Sequence, residues 1–185
     1  MSEVTMTIST QIAVRPLLDE IRNRSHATAG FTTGLAGAAA AALGQACVGI
    51  SGGATGRLGE LVVALENVAD DDANALSRLL ALREQGKEED GWEALEAVPA
   101  AMADLACEAA ELLQSFRPQV VDQVRDDLEF AVVLLTAAAR SALLIVESNL
   151  RHWRAPALHA KFGPQVERLS RRVAALTPLE HIAWK

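Results

Sequence analysis

The chain has 185 residues, enough for one domain with a full core, and its formal net charge of −7 argues against a general nucleic-acid binder. Half of the residues are hydrophobic, yet only 4% are aromatic and Tyr is absent; that balance suits closely spaced helices and argues against a sheet, which favours β-branched and aromatic side chains. The opening MSEVTMTIST lacks a basic stretch followed by an apolar one, so no secretory leader is expected, and Cys47 and Cys107, set among small apolar residues, read as reduced core thiols of a cytoplasmic protein.

Taken in order, residues 8 to 23 carry Ile8, Ile12, Leu17, Leu18 and Ile21 between charged positions, the pattern of an amphipathic helix that Pro16 bends or restarts. The stretch from Gly30 to Ser51 organises the rest. On a helix, Gly30, Gly34, Gly37, Ala41, Gly44 and Val48 fall on one stripe, spaced alternately by four and three. Glycine inside a helix costs about 1 kcal/mol relative to alanine, so several on one face need an offsetting gain from close contact. That contact is either the backbone of a neighbouring helix or a flat ligand for which the stripe is the floor. No Asp, Glu, Lys or Arg stands between Arg24 and Arg57, a gap long enough to cross a bilayer. Its Ala, Gly, Ser and Thr content supplies little transfer energy into lipid, so a buried helix outside any membrane is expected.

After the turn Ser51-Gly52-Gly53, a second long helix is predicted from Arg57 to Gln85, with Leu58, Val62, Leu65, Val68, Leu76, Leu79 and Leu80 on its apolar side. Asp70, Asp71 and Asp72 read there as a solvated face. GKEEDG, 86–91, reads as a loop. A third helix, Trp92 to Phe116, has Leu95, Val98, Met102, Leu105, Ala109 and Leu112 inside and is kinked or started late by Pro99. A fourth runs from Asp126 to Trp153, and Pro156 ends it. Pro164 opens a last one. The expected architecture is all-α: a single domain over 1–185, an antiparallel bundle of about five to six helices, several long, around the central small-residue helix.

Chemistry is sparse. His26, His152, His159 and His181 form no ligand-spaced pair, so no metal site is expected. GGATGRLG lacks the strand before it and the Lys-Ser/Thr after it that a phosphate loop needs. Asp126 and Asp127 precede an apolar helix; acids there either cap free N–H groups and meet the dipole, or one of them faces a cavity and handles protons or a cationic substrate. Late basic residues, Arg151, Arg154, Lys161, Arg168, Arg171 and Arg172, offset the acidic body.

Read together, the blocks resemble the cyclodeaminase/cyclohydrolase family of folate one-carbon enzymes, over roughly residues 8 to 175. Gly30 keeps the last glycine of that family's proline–triple-glycine–serine turn, Leu35-Ala36-Gly37-Ala38 resembles its Ala/Gly helix, and Ile50-Ser51 stands for its Leu-Thr. Asp72-Ala73-Asn74-Ala75-Leu76, Val98-Pro99-Ala100 and Asp126-Asp127 are similar to its Asp-Ala-x-Ala-Phe, Val-Pro-Leu and Ser-Asp motifs, with Asn149 in step with a later Asn. Ala27, Thr28 and Ala29 replace the proline and two glycines, Phe31 the serine, and Ala54-Thr55-Gly56 the lysine-rich segment, leaving Arg57 nearby.

The resemblance implies a cytoplasmic homodimer acting on a tetrahydrofolate-type pterin, as a methenyl-tetrahydrofolate cyclohydrolase or a formimino-tetrahydrofolate cyclodeaminase. No tightly bound cofactor, nucleic acid or membrane would take part. It implies Asp127 as the catalytic acid, and Gly30, Phe31, Gly34, Ser51, Arg57, Asp126 and Asn149 as ligand-binding residues. The alternative is a catalytically degenerate helical protein that binds a pterin or a protein partner. Asp127 and Asn149 stand roughly 33 Å apart along one helix, at about 1.5 Å per residue, so they cannot serve one pocket within a single chain.

Overall fold

The computed structural model describes residues 14–23 and 28–182. Six α-helices follow in order: α1 (Val14–Asn23), α2 (Ala29–Ile50), α3 (Gly56–Glu84), α4 (Glu89–Phe116), α5 (Arg125–Trp153) and α6 (Pro156–Ala175), with two 3₁₀ turns between α4 and α5. The part of the first expected helix over residues 8–13, and His26, lie outside the described residues.

The small-residue stripe decides the arrangement. Gly30, Gly34, Gly37, Ala41, Gly44 and Val48 are all buried, and neighbouring helices come close. A Cβ placed on Gly34 would lie 2.7 Å from the Cβ of Ala69 and 3.1 Å from its Cα. Gly37 faces Leu65 and Ala138, and Gly44 faces Leu113. Numbers descend on α3 and α5 as they rise on α2, so both neighbours run antiparallel to it. Met102 and Leu113 ascend opposite Gly34 and Gly44, so α4 is the parallel diagonal. The four form an up-down-up-down bundle, with α6 against α4 and α5. Its centre is built from fully buried side chains such as Leu61, Leu65, Met102, Leu113, Leu128 and Leu135, each contributing about 1.5–3 kcal/mol.

Turn chemistry sets the corners. Gly52 (φ 77) ends α2 and Gly86 (φ 70) ends α3. In each, the next residue's N–H bonds back to the carbonyl five positions earlier, Gly53 to Val48 at 2.9 Å and Lys87 to Leu82 at 2.9 Å, the closing pattern that a left-handed glycine permits.

Three expectations change. Pro164 lies inside α6, and Pro156 is the residue that opens it, because the first helical turn loses no hydrogen bond to proline. Helix α4 begins at Glu89 and passes through Pro99. Met102 and Ala109 are buried as expected, and Leu113 with them, but the rest of the buried side is small, Pro99, Ala100, Ala103, Ala106, Cys107 and Ala110, while Leu95, Val98, Leu105 and Leu112 are half-buried at its flanks. Asp70 and Asp71 are solvated as expected, but Asp72 is buried.

Cys47 and Cys107 are free and buried. The late cations tie α6 to α4: Arg168 donates to both carboxylate oxygens of Asp104, Arg172 to Asp104 and Glu111, and Lys161 pairs with Glu93. Two segments, Ala29–Ile50 and Asp122–Trp153, are long and apolar enough to cross a membrane, with 44% and 56% of their most apolar windows buried inside the bundle.

Candidate functional site

The residues singled out from sequence divide between the two ends of α2. Ser51, Arg57, Asp126 and Asp127 gather at its C-terminus. The Ser51 hydroxyl donates to the Cys47 carbonyl at 2.8 Å and accepts from the Val121 N–H at 3.2 Å, fastening α2 to the chain entering α5. Arg57 is in the first turn of α3; its guanidinium donates to Glu108 at 2.7 Å and Glu60 at 2.8 Å, and these acids raise its pKa further. It lines a hollow of about 150 Å³ with Val48, Ala54, Leu58, Phe116 and Gln119. Asp126 and Asp127 occupy the first turn of α5 without a side-chain capping bond, and both are exposed. Asp127 is near enough to Cys47 to help raise that thiol's pKa, burial being the larger cause.

Gly30, Phe31, Gly34 and Asn149 gather at the other end, 17 residues up α2 from Cys47, or ~26 Å. They bring with them three residues that sequence reasoning did not assign to a site: Thr28, Asp72 and Glu96. Asp72 on α3 accepts the Phe31 backbone N–H at 3.0 Å, satisfying one of the free donors of the α2 N-terminus. A Cβ on Gly30 would fall 2.1 Å from Asp72 Oδ1, so only glycine leaves room for that carboxylate. Burial raises the Asp72 pKa and the Phe31 N–H pulls it back.

Glu96 is more deeply placed, 0% exposed on the bundle face of α4. Neither of its carboxylate oxygens has a hydrogen-bond partner, nor does the buried Thr28 hydroxyl. Burial pushes the Glu96 pKa up to about 7, with the Asn149 side chain drawing it partly down. A carboxyl with that value exchanges protons near neutral pH. One turn before it, Trp92 stacks on Trp153, ring centroids 5.6 Å apart and planes within 10°, and closes this end of the α4–α5 seam. Both acids were legible in register. Asp72 is in step with Leu65, Ala69 and Leu79, and Glu96 with Trp92, Pro99 and Ala103.

The stripe is covered by Asp72, Ala69, Leu65 and Leu113, so its close approach is to neighbouring helices. Among the described residues no three His, Cys, Asp or Glu side chains converge as metal ligands would.

No family model matches the sequence, and no characterised protein matches it at the level of sequence. The fold does have a counterpart. The crystal structure of formiminotetrahydrofolate cyclodeaminase from Thermotoga maritima superposes with a TM-score of 0.79, covering 91% of this chain and 93% of that one, at 14% sequence identity. At that identity the likeness establishes architecture: the chain has the all-helical fold of a folate cyclodeaminase.

Proposed function

We propose that the protein is a one-carbon enzyme acting on a tetrahydrofolate-type pterin, in the cytoplasm, as a homodimer. The observation that carries this reading is the fold likeness to a folate cyclodeaminase along nearly the whole of both chains. In the hydrolytic direction, water adds to a cationic methenyl carbon; in the deaminating direction, the neighbouring nitrogen attacks a formimino carbon and ammonia leaves. A carboxylate serves either by stabilising the cation or by taking the proton. Asp127 is the acid we assign to this, with Ser51, Arg57 and Asp126 at its end of the bundle and Phe31 and Asn149 from the other around the ligand, while Gly30 and Gly34, which Asp72 and Ala69 press against, set the helix spacing behind it.

The homodimer reconciles the two ends. Helix α5 presents an apolar stripe to solvent, Phe130 at 49%, Val133 at 39%, Leu134 at 49% and Leu144 at 63% exposure, beside the alanine-rich outer face of α2. A patch of this kind on a chain otherwise rich in surface charge marks an association surface. Two copies of α5 paired antiparallel through the stripe set the Asp127 end of one chain beside the Asn149 end of the other. Asp127 of one chain and Asn149 of the other then meet at the seam, and the two-fold axis creates two such sites.

The test follows methenyl-tetrahydrofolate absorbance with the purified protein and with Asp127→Asn. Accelerated hydrolysis lost in the variant supports the reading; hydrolysis at the buffer rate, with no binding of reduced pterin, overturns it. Complementation tests the shared site: Asp127→Asn and Asn149→Ala chains, each inactive alone, recover about a quarter of the activity when mixed. A second reading, a degenerate pterin binder, draws support from Arg57, the cation nearest the lost lysine segment, whose guanidinium is already engaged by Glu60 and Glu108. Pterin binding without turnover would favour it.

A further inference from the structure

Helix α5 carries an acid and a base at opposite ends of one exposed stripe. From Asp127 the stripe steps by three and four residues through Phe130, Leu134, Ala137, Ser141, Leu144 and Ser148 to Arg151, every one of them exposed. That is the seam spacing of paired helices. Between its two ends the stripe itself has no charged residue. Among the described residues neither Asp127 nor Arg151 forms an ion pair, although Glu147 stands one turn before the arginine. Asp122 and Arg125, just before the stripe, answer each other at 2.6 Å. The outer face of α2 extends the uncharged surface through Ala36, Ala39, Ala42 and Ala46, all exposed.

The stripe is complementary to itself in one arrangement. Run antiparallel about a two-fold axis at Ala139, it sets Asp127 against the partner subunit's Arg151. The large Phe130 then meets the partner's Ser148, Leu134 meets the partner's Leu144, and the small Ala137 meets the partner's Ser141 where the helices cross. By symmetry each contact occurs twice. A parallel pair would set Asp127 against the partner's Asp127 and Arg151 against the partner's Arg151. An antiparallel pair slipped by seven residues would press Asp127 on the partner's Leu144, or Arg151 on the partner's Leu134, and strand a charge on an apolar side chain. Arg140 meets its own copy on the flank beside the axis, and its stem is long enough to carry the guanidinium out to water.

We propose that a second copy of this chain covers the α5 stripe in this register, and that the partner subunit's Arg151 answers the charge of Asp127. The two ion pairs stand roughly 36 Å apart, at about 1.5 Å per residue. The inference rests on the homodimer of the proposed function. It fixes the register of that dimer and adds a cation from the partner to the surroundings of the acid.

The experiment is sedimentation equilibrium, at low ionic strength, on the full chain and on two charge reversals, Asp127→Arg and Arg151→Glu, each alone and then mixed in equal amounts. Either reversal alone sets like charges together at both ends of its dimer and is expected to weaken association by about tenfold or more. In a mixed dimer of the two, opposite charges face each other again at both ends, so mixing is expected to recover the unsubstituted affinity. Added salt shrinks these differences. Both positions are exposed, and far-UV circular dichroism checks that each chain folds. Should a reversal fail to fold, Leu134→Arg in the middle of the stripe decides, and an unweakened dimer there overturns the seam. A chain monomeric at every concentration, reversals that dimerise like the unsubstituted chain, or a mixture no tighter than its parts each overturns the proposal. So does a monomer that floats with phosphatidylcholine–phosphatidylglycerol vesicles and loses them on Leu134→Arg. Reversals that weaken alone and recover together, in a protein inert on methenyl-tetrahydrofolate, keep this inference and remove the one-carbon activity. Turnover by an unsubstituted protein whose dimer ignores both reversals does the opposite.

Discussion

The two ends of α2 solve the same problem in opposite ways. At the C-terminal end the chain must turn, and it closes with a left-handed glycine, a serine bonded on both sides and an arginine held by two acids. At the N-terminal end one carboxylate answers one backbone N–H, while a second acid and a hydroxyl are sealed in without partners. The first is a clasp whose groups satisfy one another. The second seals in an acid whose neighbour is the Asn149 side chain, and burial there pushes its pKa up to about 7.

Substitutions can break or sharpen that contrast. Gly34→Ala should cost most, ~3 kcal/mol or more by chemical denaturation, because the new methyl meets the Ala69 main chain and two helices must part. Arg117→Ala comes next, at ~2–3 kcal/mol. It strips the guanidinium that donates twice to the nearly buried Glu129 at 2.7 Å and once to the Thr177 carbonyl at 2.7 Å; a small loss would mean that the clasped end is held by packing alone.

Glu96→Gln acts through pH. Its carboxyl has a folded value near 7 against an ordinary 4.5, so its contribution to stability is full below about 4.5 and is lost as pH rises through 7. The amide should therefore flatten the stability profile across that window and raise the unfolding free energy at pH 8 by up to ~3 kcal/mol. An unchanged profile would mean that the N-terminal end is satisfied after all. Gly52→Ala should cost ~1 kcal/mol, from the left-handed backbone alone, since a Cβ there meets nothing within 4 Å. Asp127→Asn, on an exposed first turn, should leave stability within ~0.5 kcal/mol while removing the proposed activity.

The helices and the buried stripe of α2 were readable because period and composition agreed. Where they disagreed, composition misled. Three adjacent aspartates look like a solvated face, yet the third keeps the step of Leu65, Ala69 and Leu79 and turns inward. Glu96 sits among the small residues that make up much of the core side of α4, hidden because leucines on the flanks carry more weight by size. Pro164 misled for a related reason: proline marks helix starts, and of two candidates Pro156 followed the break at Arg154, the described non-glycine residue with positive φ. The division of the candidate residues between two ends was not readable, because it depends on which helices run antiparallel.

A backbone spacing set by hydrogens and methyls constrains evolution unevenly. Leu113, Ala69 and Asp72 press on positions that have no side chain to trade, so a larger residue there displaces a whole helix rather than a neighbouring rotamer. Residues outside that seam carry no such veto and can drift until almost nothing in the text of two sequences agrees. One architecture can therefore serve two sequences that agree at 14% of positions: a distance between axes is what the fold requires, and most of the alphabet is left open.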